Sequence, residues 1–249
     1  MVRSAIQLYT LRDLDIPFTD LLYRIADAGF DGIEYAYRVS EADTDDVSSV
    51  LEDTGLRVPS AHVPVSALKG DLDEIVGTYR KLRCEQLVVP YLDDENFKSI
   101  PATRETARQL EALADRLAEY NYTLCYHNHD VEFAIEFDDG QTPFDILVAE
   151  TDAIGFELDV GLAAYAGAEP AEVLRNHATR VELLHYTDTH AGAPNPAHTS
   201  YGTGDVDFRS VSNAAINAEV RWYIYENGSQ EDPVHELEHA TETFLQQRY

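Results

Sequence analysis

Residues 101–132 read PATRETARQLEALADRLAEYNYTLCYHNHDVE, and two periodicities follow one another inside them. From Thr103 to Tyr120, Ala107, Leu110, Ala114, Leu117 and Ala118 recur at three- and four-residue spacing, the pattern of a helix with one apolar face. Pro101 stands just before it, where a missing N–H is tolerated. From Tyr122 to His127 the chain changes to a short run rich in aromatic and aliphatic residues, which predicts a strand. That strand runs directly into His127-Asn128-His129-Asp130-Val131-Glu132, a dense group of imidazoles and carboxylates.

The same alternation extends in both directions. Further strands are predicted at Ser4–Tyr9, Gly32–Ala36, Arg57–His62, Gln86–Pro90, Gly155–Asp159, Val181–His185 and Trp222–Glu226. Asp71 followed by Glu74 reads as a capping box, and Pro233 as the first turn of the last helix, with Leu237 and Phe244 facing inward. Eight strands and eight helices in strict alternation imply a parallel sheet with right-handed crossovers. In 249 residues they fit a closed (β/α)8 barrel of the α/β class, a TIM barrel, as one domain over residues 1–249. A doubly wound open sheet competes, but it would usually carry a glycine-rich phosphate loop after the first strand. Here that strand runs into QLYTLRDL (7–14).

In such a barrel the chemistry sits where the strands end. The ends are read at Tyr9, Glu34, His62, Pro90–Tyr91, His127, Asp159, His185 and Glu226. Strands five to eight thus end in oxygen and nitrogen donors able to converge on one divalent ion, with Mn, Mg, Co and Zn all compatible. Each residue also has a plain structural reading. Asp159 suits a cap of the following turn, His185 a hydrogen-bonded core histidine, and Glu226 would be costly if buried unpaired. It is their joint placement at corresponding strand ends that favours a metal site. Residues 187–206, TDTHAGAPNPAHTSYGTGDV, predict a long irregular loop of the kind found over active sites; a disordered insertion is the plain alternative.

These motifs resemble the xylose-isomerase-like barrel superfamily, in its sugar phosphate isomerase/epimerase branch. The resemblance lies in Gly32-Ile33-Glu34, Ser60-Ala61-His62-Val63-Pro64, Tyr126–Phe133, Phe156–Gly161, Leu184–Asp188, Gly202–Phe208 and Tyr225-Glu226. It implies a divalent-metal-dependent enzyme acting on a keto sugar or derivative through a metal-stabilised enediolate. It implies Asp159, His185 and Glu226 as metal ligands, with Glu132 as the first ligand and His127 as its rival. It also implies Glu132 and Glu226 next to the proton transfer, and His62, His127 and His129 as catalytic groups that orient hydroxyls or shuttle protons. Tyr9, Glu34 and Asp188 are read as substrate contacts. Thr187 departs from the pattern, since relatives often carry a substrate-binding Lys there. A keto-sugar dehydratase would use the same site, and a sugar-binding protein without turnover is the non-enzymatic alternative. The resemblance further implies dimers or tetramers, though no interface signature marks the sequence.

Lys and Arg number 18 against 46 Asp and Glu, a formal charge of −28. Such a chain repels phosphate backbones and anionic membranes, which argues against nucleic-acid and membrane partners, including the DNA-gripping endonuclease branch of this barrel. Two cysteines, Cys84 and Cys125, exclude a disulfide framework, and no apolar run has the length of a signal peptide or membrane span, so a cytoplasmic location is expected. Only Lys69, Lys81 and Lys98 are lysines, and an acidic, Lys-poor surface is a halophilic trait. Because counterions screen carboxylate repulsion, the melting temperature is expected to rise from low to molar KCl. A flat or falling profile in a thermal melt series would reject the halophilic reading.

Overall fold

A computed structural model describes residues 2–138 and 140–247. Eight strands, β1 (Arg3–Gln7), β2 (Gly32–Tyr35), β3 (Arg57–His62), β4 (Cys84–Val89), β5 (Thr123–His127), β6 (Ile154–Asp159), β7 (Val181–Tyr186) and β8 (Trp222–Tyr225), close into a parallel barrel in sequence order. β1 pairs with both β2 and β8, which completes the ring. The fold is the (β/α)8 barrel, and β3 has the bounds read from the sequence.

The strict eight-helix alternation is corrected in one respect. Eight principal helices cross between strands or follow the last one, but three short ones, Val65–Leu68, Val131–Ala134 and Val160–Tyr165, precede them after β3, β5 and β6. They sit in loops on the strand-end rim. The helix predicted from Thr103 begins at Ile100, capped by the Ser99 hydroxyl, with Pro101 in its first turn. Tyr9, expected at the end of the first strand, lies in a 3-10 turn, Leu8–Leu11. Residues 187–206 contain no helix or strand, only turns and an isolated bridge between Asp188 and Thr199.

Side-chain alternation sorts the barrel into two environments. Ile6, Ile33, Ala61, Leu124, Tyr126, Phe156, Leu158, Leu184, Tyr186, Tyr223 and Tyr225 join the apolar layer between sheet and helices. Their neighbours point inward. Ala5, Val88, Cys125, Leu183, Trp222 and Ile224 form a separate apolar plug in the lower barrel. Above it the inward positions turn polar, with Gln7, Glu34, Ser60, His127, Glu157, Asp159 and His185 all buried. Register completes the arrangement, because it sets Asp159 beside His185, His127 beside Glu157 and Gln7 beside Glu34.

Gly32 makes room for the plug. A Cβ there would lie 2.5 Å from the Arg57 carbonyl oxygen and 3.1 Å from the Trp222 ring. The carbonyl belongs to the paired strand and cannot yield. Gly32→Ala is therefore expected to cost about 1–3 kcal/mol, read as a lower urea midpoint at unchanged slope. An unchanged midpoint would show that the barrel bottom has slack.

Candidate active site

Beneath the barrel mouth, four imidazoles and four carboxylates form one buried network. Glu157 is its centre. Its Oε2 lies 2.7 Å from His62 Nε2, 3.0 Å from His127 Nδ1 and 3.1 Å from His185 Nε2. His185 Nε2 is also 2.8 Å from Glu34 Oε2, while its Nδ1 meets Glu226 Oε2 at 3.0 Å. Gln7 and Ser60 donate to the two oxygens of Glu34. Burial opposes the imidazolium form of His185, but Glu157 and Glu34 outweigh it and hold its pKa well above the ordinary range. Burial likewise works against the charged forms of Glu157, Asp159 and Glu226. The facing histidines overcome it and hold all three below the usual carboxylate range, Glu226 at about 2.

One quartet within this network has the donor set of a cation site. Ligand atoms of His127, Asp159, His185 and Glu226 all lie within 4.8 Å of one another. Asp159 caps the next helix with one oxygen only. Its Oδ1 caps the Leu162 N–H at 2.7 Å and accepts the Thr187 hydroxyl at 2.5 Å. Its Oδ2 is buried and, among the described residues, accepts no hydrogen bond; His198 Nε2 stands 3.5 Å away. With Nδ1 of His127 on Glu157, Nε2 is the nitrogen left for a ligand. Two imidazoles and two carboxylates, one with an orphaned buried oxygen, fit a divalent ion of borderline hardness. A second group, His62, His127, Glu157 and His185, is also close enough; its three histidines already meet at Glu157 Oε2, while Glu157 Oε1 is buried without a hydrogen-bond partner among the described residues.

Glu132 is not brought into the quartet, and His127 stands in the place expected for it. The reason is local. The chain does not stay extended past β5 but turns into the helix Val131–Ala134. This swings Glu132 back onto its own segment, where it accepts the Tyr126 hydroxyl and the His129 N–H. Fully buried there, its pKa is pushed up to about 7 by desolvation. Asp188, read as a substrate contact, is turned into the loop after β7. Its carboxylate receives the N–H groups of Thr189, Gly202, Gly204 and Val206 and is 1% exposed, so it organises the loop rather than facing the mouth.

The other expected residues lie around the network. Glu34 faces His185, and His62 lies against both Glu34 and Glu157; neither belongs to the quartet. His129 packs edge-on between His127 and Tyr91, and burial lowers its pKa to about 4, so it is neutral with a buried, unbonded Nδ1. Tyr9 stands at the mouth, half exposed. Sequence reading missed Glu157 and His198. Glu157 was recoverable, since it lies two residues before Asp159 and therefore on the same face of β6. His198 carried no periodic signal. It reaches the site because its Nδ1 accepts the Gly228 N–H from the β8 loop.

Comparisons with known proteins agree with this architecture. A sugar phosphate isomerase/epimerase from Parabacteroides distasonis superimposes with a TM-score of 0.80 at 18% identity, covering 99% of this chain and 98% of that one. An L-ribulose 3-epimerase gives 0.73 at 18% identity, covering 99% and 94%. The probable 3-DHS dehydratase AsbF from Bacillus anthracis gives 0.77 at 12% identity, covering 99% and 100%. At these identities the likeness is one of fold. In sequence, the rhizopine catabolism protein MocC of Rhizobium meliloti is 27% identical over 150 residues, 53% of this chain. That match spans 45% of MocC, so the chain accounts for about half the length of the curated relative it matches. Residues 22–245 match the family described as xylose isomerase-like TIM barrel, and the chain belongs to that family.

Proposed function

We propose that this protein is a divalent-metal-dependent isomerase or epimerase of a keto sugar or sugar derivative. The observation that carries the reading is the His127, Asp159, His185 and Glu226 quartet with its unbonded Asp159 Oδ2, placed at the rim where barrels of this family carry out their chemistry. These four residues would hold the ion. When bound, a divalent ion supplies Lewis acidity toward a substrate carbonyl.

The chain's own groups supply the remaining requirements. Glu226 is the base best placed to take the proton beside the carbonyl. It sits at the edge of the network, ionised, and no side chain projects from the neighbouring Gly228, where a Cβ would lie 3.7 Å from its Oε1. Glu132 is too deeply buried to share that role. His129, neutral and unbonded at Nδ1, is suited to exchange a hydrogen bond with a substrate hydroxyl. Glu157 and Glu34 fix the rings of His62, His127 and His185, so no rotamer search precedes ligation. His198 and Thr187 close over Asp159 from the loop side. Returning the proton to the neighbouring carbon isomerises the sugar, and returning it to the opposite face epimerises it.

Metal content and fold stability separate Glu132 from the quartet. Asp159→Ala is expected to lose bound metal by elemental analysis, whereas Glu132→Gln retains it. Glu132 also has a pH signature. Between its ordinary pKa of 4.5 and about 7, the unfolded chain ionises while the folded chain does not, so rising pH weakens the fold. Removing that penalty should make Glu132→Gln more stable than the parent at pH 8 by roughly 1–3 kcal/mol, a gain that vanishes below pH 5. Loss of metal in Glu132→Gln, or a gain independent of pH, would return Glu132 to the ligand set.

The reaction itself is read by deuterium. A keto sugar incubated in D₂O with metal-loaded protein should exchange its α-hydrogen, and Glu226→Gln should exchange at least ~100-fold more slowly. A chelator should stop exchange. Loss of a β-hydroxyl faster than isomer accumulates would assign a dehydratase instead, and binding without exchange would leave a sugar-binding protein.

A further inference from the structure

The rim that surrounds the quartet carries few cations. Its eight strand-to-helix loops span residues 8–17, 36–43, 63–71, 90–99, 128–142, 160–169, 187–207 and 226–232, and carry four Lys or Arg: Arg12, Arg38, Lys69 and Lys98. Each is occupied. Arg12 donates to the carbonyls of Tyr9 and Gly228 and lies 4.1 Å over the Tyr9 ring. Arg38 donates to the Leu14 and Ile16 carbonyls and to Glu41. Lys69 binds Gln109, and Lys98 binds Glu95.

The backbone positions that hold anions in this fold are filled as well. Barrels of this kind bind phosphate at the loops after strands seven and eight and at an adjacent helix N-terminus. Here the Asp188 carboxylate occupies the loop after β7, taking four converging N–H groups. Gly204 passes so close that a Cβ would lie 2.3 Å from Asp188 Oδ1. The helices Phe208–Asn217 and Pro233–Glu242, which follow β7 and β8, are capped by the carboxylates of Asp207 and Asp232. At these three places the chain's own carboxylates take the N–H groups.

What the rim presents instead is aromatic. Tyr9, Tyr37 and Tyr91, from the loops after β1, β2 and β4, are 39%, 47% and 47% exposed. Two of them reach the network from different sides. A Cβ on Gly228 would lie in ordinary contact with His198 Nδ1 at 3.5 Å, Tyr9 Cε1 at 3.6 Å and Glu226 Oε1 at 3.7 Å, which places the Tyr9 ring beside the Glu226 carboxylate. Tyr91 stands edge-on to His129, which stands edge-on to His127. Exposed ring surface next to a polar centre suits a ligand with an apolar CH face and hydroxyls around its edge.

We propose that the substrate is an unphosphorylated polyhydroxylated ring, held at the mouth by Tyr9 and Tyr91, and that phosphate esters are excluded. This rests on the sugar-enzyme reading above and narrows it. The test titrates ketohexoses and a keto-cyclitol, each beside its phosphate monoester, into the full-length metal-loaded protein by calorimetry. Work at 1 M KCl shortens the screening length to about 3 Å, so the chain's overall charge does not mimic local discrimination. At least one free polyol should bind, and its ester at least 100-fold more weakly. Tyr9→Ala and Tyr91→Ala should each weaken binding several-fold, while Tyr9→Phe and Tyr91→Phe keep it, since ring surface and not the hydroxyl makes the contact. An ester that binds as tightly as its parent, or alanine variants that bind as well as the original protein, overturns the proposal. Deuterium exchange into an ester but not its parent overturns this proposal while leaving the isomerase reading intact. Failure of both to bind or exchange overturns both.

Discussion

One carboxylate oxygen organises the site. Glu157 Oε2 touches His62, His127 and His185, which come from three different strands. A buried carboxylate is costly unless matched, and three buried imidazoles are equally costly without an acceptor, so each group makes the others tolerable. The match depends on barrel closure. Register sets His127 beside Glu157, but His62 arrives from β3 across the lumen, which an open sheet would not bring into contact. Fold and site therefore constrain each other, and the polar upper barrel rests on the apolar plug around Trp222.

Most of the barrel was legible because its signals are local. Short runs rich in aliphatic and aromatic residues marked all eight strands to within two residues of either end, and the apolar face ending at Ala118 marked the longest helix. Strand ends gave Asp159, His185 and Glu226, because a residue at the end of a barrel strand has its position fixed by topology. What was not legible depended on backbone turns. Nothing in the hydrophobic pattern of HDVEFA shows that the chain coils after Asp130, yet that single turn decides that His127 joins the quartet and Glu132 does not. The three short rim helices escaped for the same reason, being too brief to show a period. His198 was illegible for another reason, since its place depends on a hydrogen bond to a loop thirty residues away.

The cap made by Asp159 leaves room for its other reading. A carboxylate that capped a helix with both oxygens would be lost to chemistry, and one with both free would swing. Asp159 fixes one oxygen on Leu162 and Thr187 and leaves the other buried beside His127, His185 and Glu226. Gly161 is part of this, because a Cβ there would meet Thr187 Oγ1 at 2.6 Å and displace the hydroxyl that steadies Asp159. Thr187, where the resemblance leads one to expect Lys, thus works inward on the network rather than outward on a ligand.

A hydroxyl rather than a cation at this position fits the rest of the rim. An acidic chain has few cations to place, and those near the mouth are engaged by backbone carbonyls, a side-chain amide and carboxylates of the chain. Carboxylates are abundant, and the chain uses them where another protein would use a bound anion: Asp43 and Asp71 cap the helices after β2 and β3, Asp207 and Asp232 those after β7 and β8, and Asp188 fills the loop before Asp207. Each such cap satisfies N–H groups that a helix start leaves open, so the acidic composition stabilises the same rim that it closes to anions. Composition, read at first only as a property of the surface, thereby reaches the mouth of the site and bears on which ligands can enter it.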